Sequence, residues 1–246
     1  MTTKKKETIT KRIVLTMGGK GGVGKTALIT VLAEWFQAQK KPVTLLDLDT
    51  ENKNKGSLSH YFDGAAPKVN INTPDGLDAF LDHIDKGASI ILADMGAGSG
   101  EIAHGRFDTM AEAVSELGVT FTAIGVVTDD PASVESVLSW ASRLQDRVSY
   151  LIVENALTQH SRFTYWEESA EAKRFTEAFN PIVIRMDYRV PDLETATRNH
   201  GVTLSEVADR KTAAPELQRT AMVVRASSYR KKLFEEFDKA RSLLIS

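Results

Sequence analysis

Between an apolar run and an amphipathic one lies Thr16-Met17-Gly18-Gly19-Lys20-Gly21-Gly22-Val23-Gly24-Lys25-Thr26, whose residue types suit the holding of phosphate. From Gly19 to Thr26 the spacing is G-x-x-x-x-G-K-T, with a second lysine, Lys20, near its start. Glycines allow positive φ and bring the backbone N–H groups from Gly19 through Gly21, Gly22, Val23 and Gly24 close to an anion. The helix opening at Lys25, Thr26 and Ala27 adds unpaired N–H groups and the positive end of its dipole. In this pattern the lysine, here Lys25, reaches the outer phosphates, and the hydroxyl, here Thr26, coordinates Mg²⁺. A glycine-rich turn can also merely join strand to helix, but strand, loop, lysine, hydroxyl and helix in that order favour a nucleotide.

Carboxylates come next. Val43-Thr44-Leu45-Leu46-Asp47-Leu48-Asp49 reads as a buried strand ending in acids, and Ser89-Ile90-Ile91-Leu92-Ala93-Asp94 as another. Two strands thus deliver acids towards one edge, where parallel strands present residues at their carboxyl ends. At period two, Asp47 and Asp49 share a face, so one is placed to meet Mg²⁺ through water and the other to serve an attacking water. Asp94 has a competing role as a turn acid or helix cap.

The elements that position these groups alternate. Strands are expected at Arg12–Met17, Val43–Asp49, Ser89–Asp94, Val119–Val127, Tyr150–Val153 and Pro181–Met186. Helices are expected at Lys25–Gln39, Met110–Leu117, Pro131–Leu144 and Glu167–Phe179, with a helical tail from Ala213 to Ile245 and a loop or short helix over Thr50–Gly64. Such alternation predicts an α/β fold, a mostly parallel sheet flanked by helices on both faces. Residues 1–11 read as a basic arm and 12–246 as one domain.

Composition narrows the function. The formal net charge of −2 over 246 residues gives no global attraction to nucleic acid or acidic lipid. There is no cysteine, which excludes disulfides, cysteine-ligated clusters and cysteine nucleophiles. Lys4-Lys5-Lys6 is followed by polar residues and no run reaches spanning length, so a cytoplasmic location is expected.

The seven residues Lys20-Gly21-Gly22-Val23-Gly24-Lys25-Thr26 resemble the deviant Walker A motif of the ParA and MinD class of P-loop ATPases. The resemblance implies that Lys20 crosses a nucleotide-sandwich homodimer to the partner's phosphates, so that dimerisation depends on ATP and hydrolysis on dimerisation. It makes Asp49 the switch I aspartate acting on the attacking water, although Asp49-Thr50-Glu51-Asn52 departs from the usual Pro and Gln after that acid. It makes Asp94 the switch II aspartate, meeting Mg²⁺ through water. Asn155 resembles the purine-reading asparagine, and Asn155-Ala156-Leu157 lacks the element of GTP-binding relatives, so ATP and ADP are the implied nucleotides. Val190-Pro191-Asp192-Leu193-Glu194-Thr195-Ala196, followed by Gly201-Val202-Thr203-Leu204, is similar to the class's base-covering loop and the helix after it, with Pro191 and Asp192 at the base. Within the class, Ile91 to Ser99, Val126-Val127-Thr128 and Arg225 to Phe237 resemble the TraL and StbB proteins of conjugative plasmids.

Other relatives fall away. Without cysteine, an iron–sulfur ATPase or a cysteine-dependent amidotransferase is excluded, and the tail lacks the tyrosines of a P-loop tyrosine kinase. Arg219, Arg225, Arg230, Lys231 and Lys232 belong to a basic segment suited to DNA phosphates without sequence readout, or else to a solvated helix face. Leu233, Phe234, Phe237, Ala240, Leu244 and Ile245 form an apolar stripe. Glu235, Glu236 and Asp238 argue against a membrane surface and for packing on the domain. The resulting expectation is a dimerising ATPase switch acting with a partner protein or cargo adaptor in plasmid transfer, segregation or cargo positioning. The contrasting one is a nucleotide-sensing binding protein with little turnover.

Overall fold

In the computed structural model, which describes residues 11–50, 55–96, 114 and 118–245, the chain runs through six strands. They are β1 (Lys11–Met17), β2 (Val43–Asp47), β3 (Ile90–Asp94), β4 (Val119–Val127), β5 (Ser149–Asn155) and β6 (Ile182–Met186). Around them lie α1 (Lys25–Ala38), α2 (Leu58–Tyr61), α3 (Pro74–Lys86), α4 (Pro131–Leu144), α5 (Thr164–Glu168), α6 (Ala170–Phe179), α7 (Pro191–His200), α8 (Leu204–Ala208), α9 (Thr220–Lys239) and α10 (Arg241–Leu244). All strand pairs are parallel, in the order β2-β3-β1-β4-β5-β6. The chain leaves β1 for β2 and β3 on one side and for β4 to β6 on the other. The reversal puts a crevice at the carboxyl end of β1, where the glycine-rich loop begins.

The apolar runs of the central strands are buried on both faces, as a helix-covered parallel sheet requires. On one face Ile13, Leu15 and Met17 pack with Phe80 and Ile84 of α3 and Val134, Val137 and Trp140 of α4. On the other, Val14, Leu92 and Ile124 pack with Leu28, Leu32, Trp35 and Phe36 of α1 and Leu233 and Phe237 of α9. Each fully buried side chain of this kind contributes about 1.5–3 kcal/mol. Trp35 meets Phe237 edge-on, with ring centroids 6.0 Å apart. The terminal stripe therefore packs on the domain, Phe237, Ala240 and Leu244 being fully buried. Among the described residues no helix is long and apolar enough to cross a membrane.

Several boundaries depart from the expected ones. β2 stops at Asp47 because its carboxylate turns back to accept the Asp49 N–H at 3.1 Å, so Asp47 and Asp49 do not share a strand face. The helix expected over 167–179 is broken at Ser169, whose extended backbone and side chain cap α6. The tail becomes helical only at Thr220 and breaks at Ala240. Pro191–His200 is a helix, with the proline at its first turn where a missing N–H costs nothing, so the helix expected after the covering loop begins at Pro191. Lys11, assigned to the arm, opens β1, and its ammonium donates to the Asp85 carbonyl at 2.9 Å, near the C-terminus of α3. The helix expected at 110–117 lies outside the described residues, save Val114.

Candidate nucleotide site

The loop after β1 takes its shape from three left-handed glycines, Gly18 at φ +96, Gly22 at φ +76 and Gly24 at φ +97. Gly24 is the residue before α1, and a Cβ there would fall 2.5 Å from Asn155 Nδ2. That approach lets the buried Asn155 amide, at the end of β5, donate to Val23 O at 2.7 Å. At the loop's other end the Gly19 N–H donates to Ser136 Oγ of α4 at 2.7 Å. The cradle is thus pinned from both flanks before any ligand enters.

Lys25 is buried and donates from Nζ to Lys20 O at 2.8 Å, which folds the lysine back over its own loop. Burial lowers its pKa, and the charges of Asp94 and Asp49 oppose the fall. Lys20 points elsewhere, with Nζ 3.1 Å from Asp130 Oδ2 at the start of α4.

The three acids have separate environments. Asp47 is fully buried, and β3 places it in register with Asp94. Its Oδ1 accepts from Asp49 N–H, and its Oδ2 accepts from Ser59 N–H at 3.0 Å and lies 3.3 Å from Lys68 Nζ. Both oxygens of Asp47 are therefore engaged by the protein. Asp94 Oδ1 accepts from Thr16 Oγ1 at 3.3 Å, while Oδ2 is buried with no hydrogen-bond partner among the described residues. Burial pushes the Asp94 pKa up to about 7; nearby Thr26 and Lys25 pull against the rise, and Asp47 and Asp49 add to it. Thr26 does so without giving Oδ2 a bond of ordinary geometry. Asp49 lies against Gly96, where an added Cβ would sit 2.3 Å from its Oδ1, and its carbonyl accepts from Lys68 at 3.0 Å.

These groups frame a cavity of about 330 Å³. Gly21, Gly22, Val23, Gly24, Lys25, Thr26 and Ala27 line it, as do Asp49, Met95 and Gly96. Lys55, Gly56 and Tyr61 close it from the α2 side, and Arg189, Glu194 and Arg198 from the α7 side. Gly19, Lys20, Asp47, Asp94 and Asn155 do not line the cavity, and neither do Pro191 and Asp192 in the first turn of α7. Sequence reasoning missed Arg189, Arg198, Lys55 and Tyr61; the one available signal was the spacing of Glu194 and Arg198, which puts them on one helical face.

The chemistry of these donors fits a magnesium nucleotide. A buried, unpartnered carboxylate oxygen is costly, and Asp94 Oδ2, close to the Thr26 hydroxyl, suits the water shell that Mg²⁺ keeps in phosphate sites.

Comparison with known proteins agrees. Residues 14–233 match the family described as the CobQ/CobB/MinD/ParA nucleotide binding domain. The chain belongs to that family. A search of curated proteins gave no match. Among solved structures, the fold is similar to the MinC:MinD cell division protein complex of Aquifex aeolicus, at 16% identity over 92% of this chain and 96% of that one, TM-score 0.53. It is similar to a ParA family ATPase from Chlorobium tepidum TLS, at 11% identity over 92% and 99% of the two chains, TM-score 0.55. A putative plasmid partition protein from Borrelia burgdorferi B31, bound to AMPPNP, gives 12% identity over 94% and 99%, TM-score 0.52. At these identities the similarity establishes the fold, a six-stranded parallel sheet with helices on both faces, as for the MinD and ParA family.

Proposed function

We propose that the chain is an ATPase switch that dimerises when it binds ATP. The observation that carries the reading is the convergence of Lys25, Thr26 and Asp49 on one cavity, beside an Asp94 whose buried Oδ2 has no hydrogen-bond partner among the described residues. Lys25, already inside the cradle, exchanges the Lys20 carbonyl for phosphate oxygens and neutralises charge that shifts during transfer. Asp49 orients a water for in-line attack on the terminal phosphorus; a bond forms from the water oxygen as the bond to the bridging oxygen breaks, ADP leaves with the bridging oxygen, and the water's proton departs on the phosphate product. Mg²⁺, held by Thr26 and through water by Asp94, would neutralise the phosphate oxygens. Asn155 keeps Nδ2 on Val23 and offers Oδ1 to the adenine amino group.

Lys20 lies outside the cavity of its own chain, which supports a role towards a second subunit's nucleotide rather than its own. A partner-dependent task in conjugal transfer, plasmid segregation or cargo positioning in the cytoplasm follows from the resemblance, and the MinC:MinD and plasmid partition proteins among the structural neighbours support it. DNA contact through the tail receives less support, because Arg230 faces Asp209, Lys232 faces Asp187 and Lys231 faces Glu235.

ATP turnover by the purified protein with magnesium, DNA and candidate partners tests the reading. Turnover lost in Asp49→Ala and Lys25→Ala supports it. Turnover no higher than that of Asp49→Ala, with ATP still bound, leaves the nucleotide-sensing alternative.

A further inference from the structure

The α7 side of the cavity has a chemistry of its own. Arg189 follows β6, and its side chain is only 11% exposed. Its guanidinium lies over the Tyr229 ring, 5.7 Å from the centroid, and reaches Glu194 only at 3.6 Å, beyond a direct hydrogen bond. Arg198, one turn along α7 from Glu194, rests its stem on Gly56, where a Cβ would meet its Cγ and Cδ at 3.1 Å. Gly56 is held at φ +94, so the close approach and the backbone both call for glycine there. Of the ionisable side chains lining the cavity, Lys25, Lys55, Arg189 and Arg198 are cationic and Asp49 and Glu194 anionic. The excess of cations suits a polyanion, and the planar fork of arginine suits phosphate oxygens better than a base edge.

We propose that Arg189 and Arg198 form a second phosphate-binding wall, gripping the phosphate chain of the nucleotide from α7 while the glycine-rich loop holds it from α1. The inference rests on the cavity being the nucleotide site, and it gives α7 a task that the base-covering resemblance did not. It also makes the phosphate chain, rather than the base, the part of the ligand that these arginines meet. Arg189 is buried enough to be set in place before the ligand arrives, so less ordering entropy is lost when it binds.

The test is calorimetric titration of the full chain with magnesium ATP and with inorganic tripolyphosphate, which has no base or ribose. Arg189→Gln and Arg198→Gln are each expected to weaken both ligands by roughly tenfold or more. Arg189→Lys should fall between wild type and Arg189→Gln. ATP weakened with tripolyphosphate unchanged would overturn the proposal, because the arginines would then serve base or ribose. Both ligands unchanged in both variants, while Lys25→Ala abolishes binding, would overturn it and leave the nucleotide site intact. A wild-type chain that binds neither ligand would overturn both readings. In the unsubstituted protein, ATP and tripolyphosphate should each protect Arg189 and Arg198 from arginine-specific modification mapped by mass spectrometry; unprotected arginines at saturating ATP would contradict the proposal even if a variant failed to fold.

Discussion

Lys20 Nζ stands 3.1 Å from Asp130 Oδ2, and that same Asp130 accepts the Ala132 N–H at 3.0 Å to cap α4. The lysine expected to reach a second subunit is therefore held by its own chain. The Asp130 carboxyl is held below its ordinary range first by the Ala132 N–H and then by Lys20. In the proposed dimer Lys20 would leave this pair before touching another subunit's phosphates.

Asp130→Asn should loosen the lysine while keeping the capping oxygen. Because both partners are substantially exposed, the gain is small, about twofold to fivefold in ATP-dependent self-association by sedimentation. Weaker association than wild type would show that Asp130 supports the dimer instead.

A second expectation concerns pH. The Asp94 pKa is raised from 3.8 to about 7 in the folded chain, so the folded state binds the extra proton between those values and ionisation disfavours folding. In magnesium-free buffer, Asp94→Asn should be the more stable protein. Its advantage should grow as pH rises from about 4 to about 7 and stay flat above, reaching on the order of 2–4 kcal/mol. Chemical denaturation at several pH values checks this, and an advantage independent of pH would contradict it.

Lys68 ties the buried Asp47 carboxylate, at 3.3 Å, to the Asp49 carbonyl, at 3.0 Å. It is a positioning residue for Asp49. Lys68→Met should cost about 1–2 kcal/mol of stability, the lysine being a third exposed, and lower kcat roughly tenfold with the KM for ATP little changed. A KM effect without a kcat effect would place its role in binding.

Gly96→Ala probes the same acid from the other side. The new Cβ would fall 2.3 Å from Asp49 Oδ1, so the carboxylate must move while the backbone of residue 96 accepts alanine. Steady-state assays should show turnover falling at least about tenfold, with ATP affinity retained. Wild-type turnover would mean that the Asp49 position is not critical.

Much of this was legible in sequence because it is local. The cradle from Gly19 to Thr26, the buried runs of β1 and β3 and the amphipathic α1 follow from spacing over a dozen residues or fewer. The helix Pro74–Lys86 was open to the same reading, since Thr73 caps it and a proline opens it, yet its short, highly charged sequence masks Phe80 and Ile84. The pairs that define the site are long-range. Lys20 meets Asp130, Asp49 meets Lys68, and Asn155 meets Val23 across 132 residues. The basic tail is another long-range case. Counted within its own segment it is strongly cationic, but folding brings Asp187 and Asp209 to Lys232 and Arg230.

In the proposed switch, ATP joins two chains through Lys20. Light scattering on a sizing column, with magnesium and ATP and in the Asp49→Ala background to slow turnover, should give twice the chain's 27.1 kDa mass. Magnesium and ADP, or the added Lys20→Ala change, should give the single-chain mass. A single-chain mass with bound ATP, or a dimer indifferent to both nucleotide and Lys20, would rule out that switch.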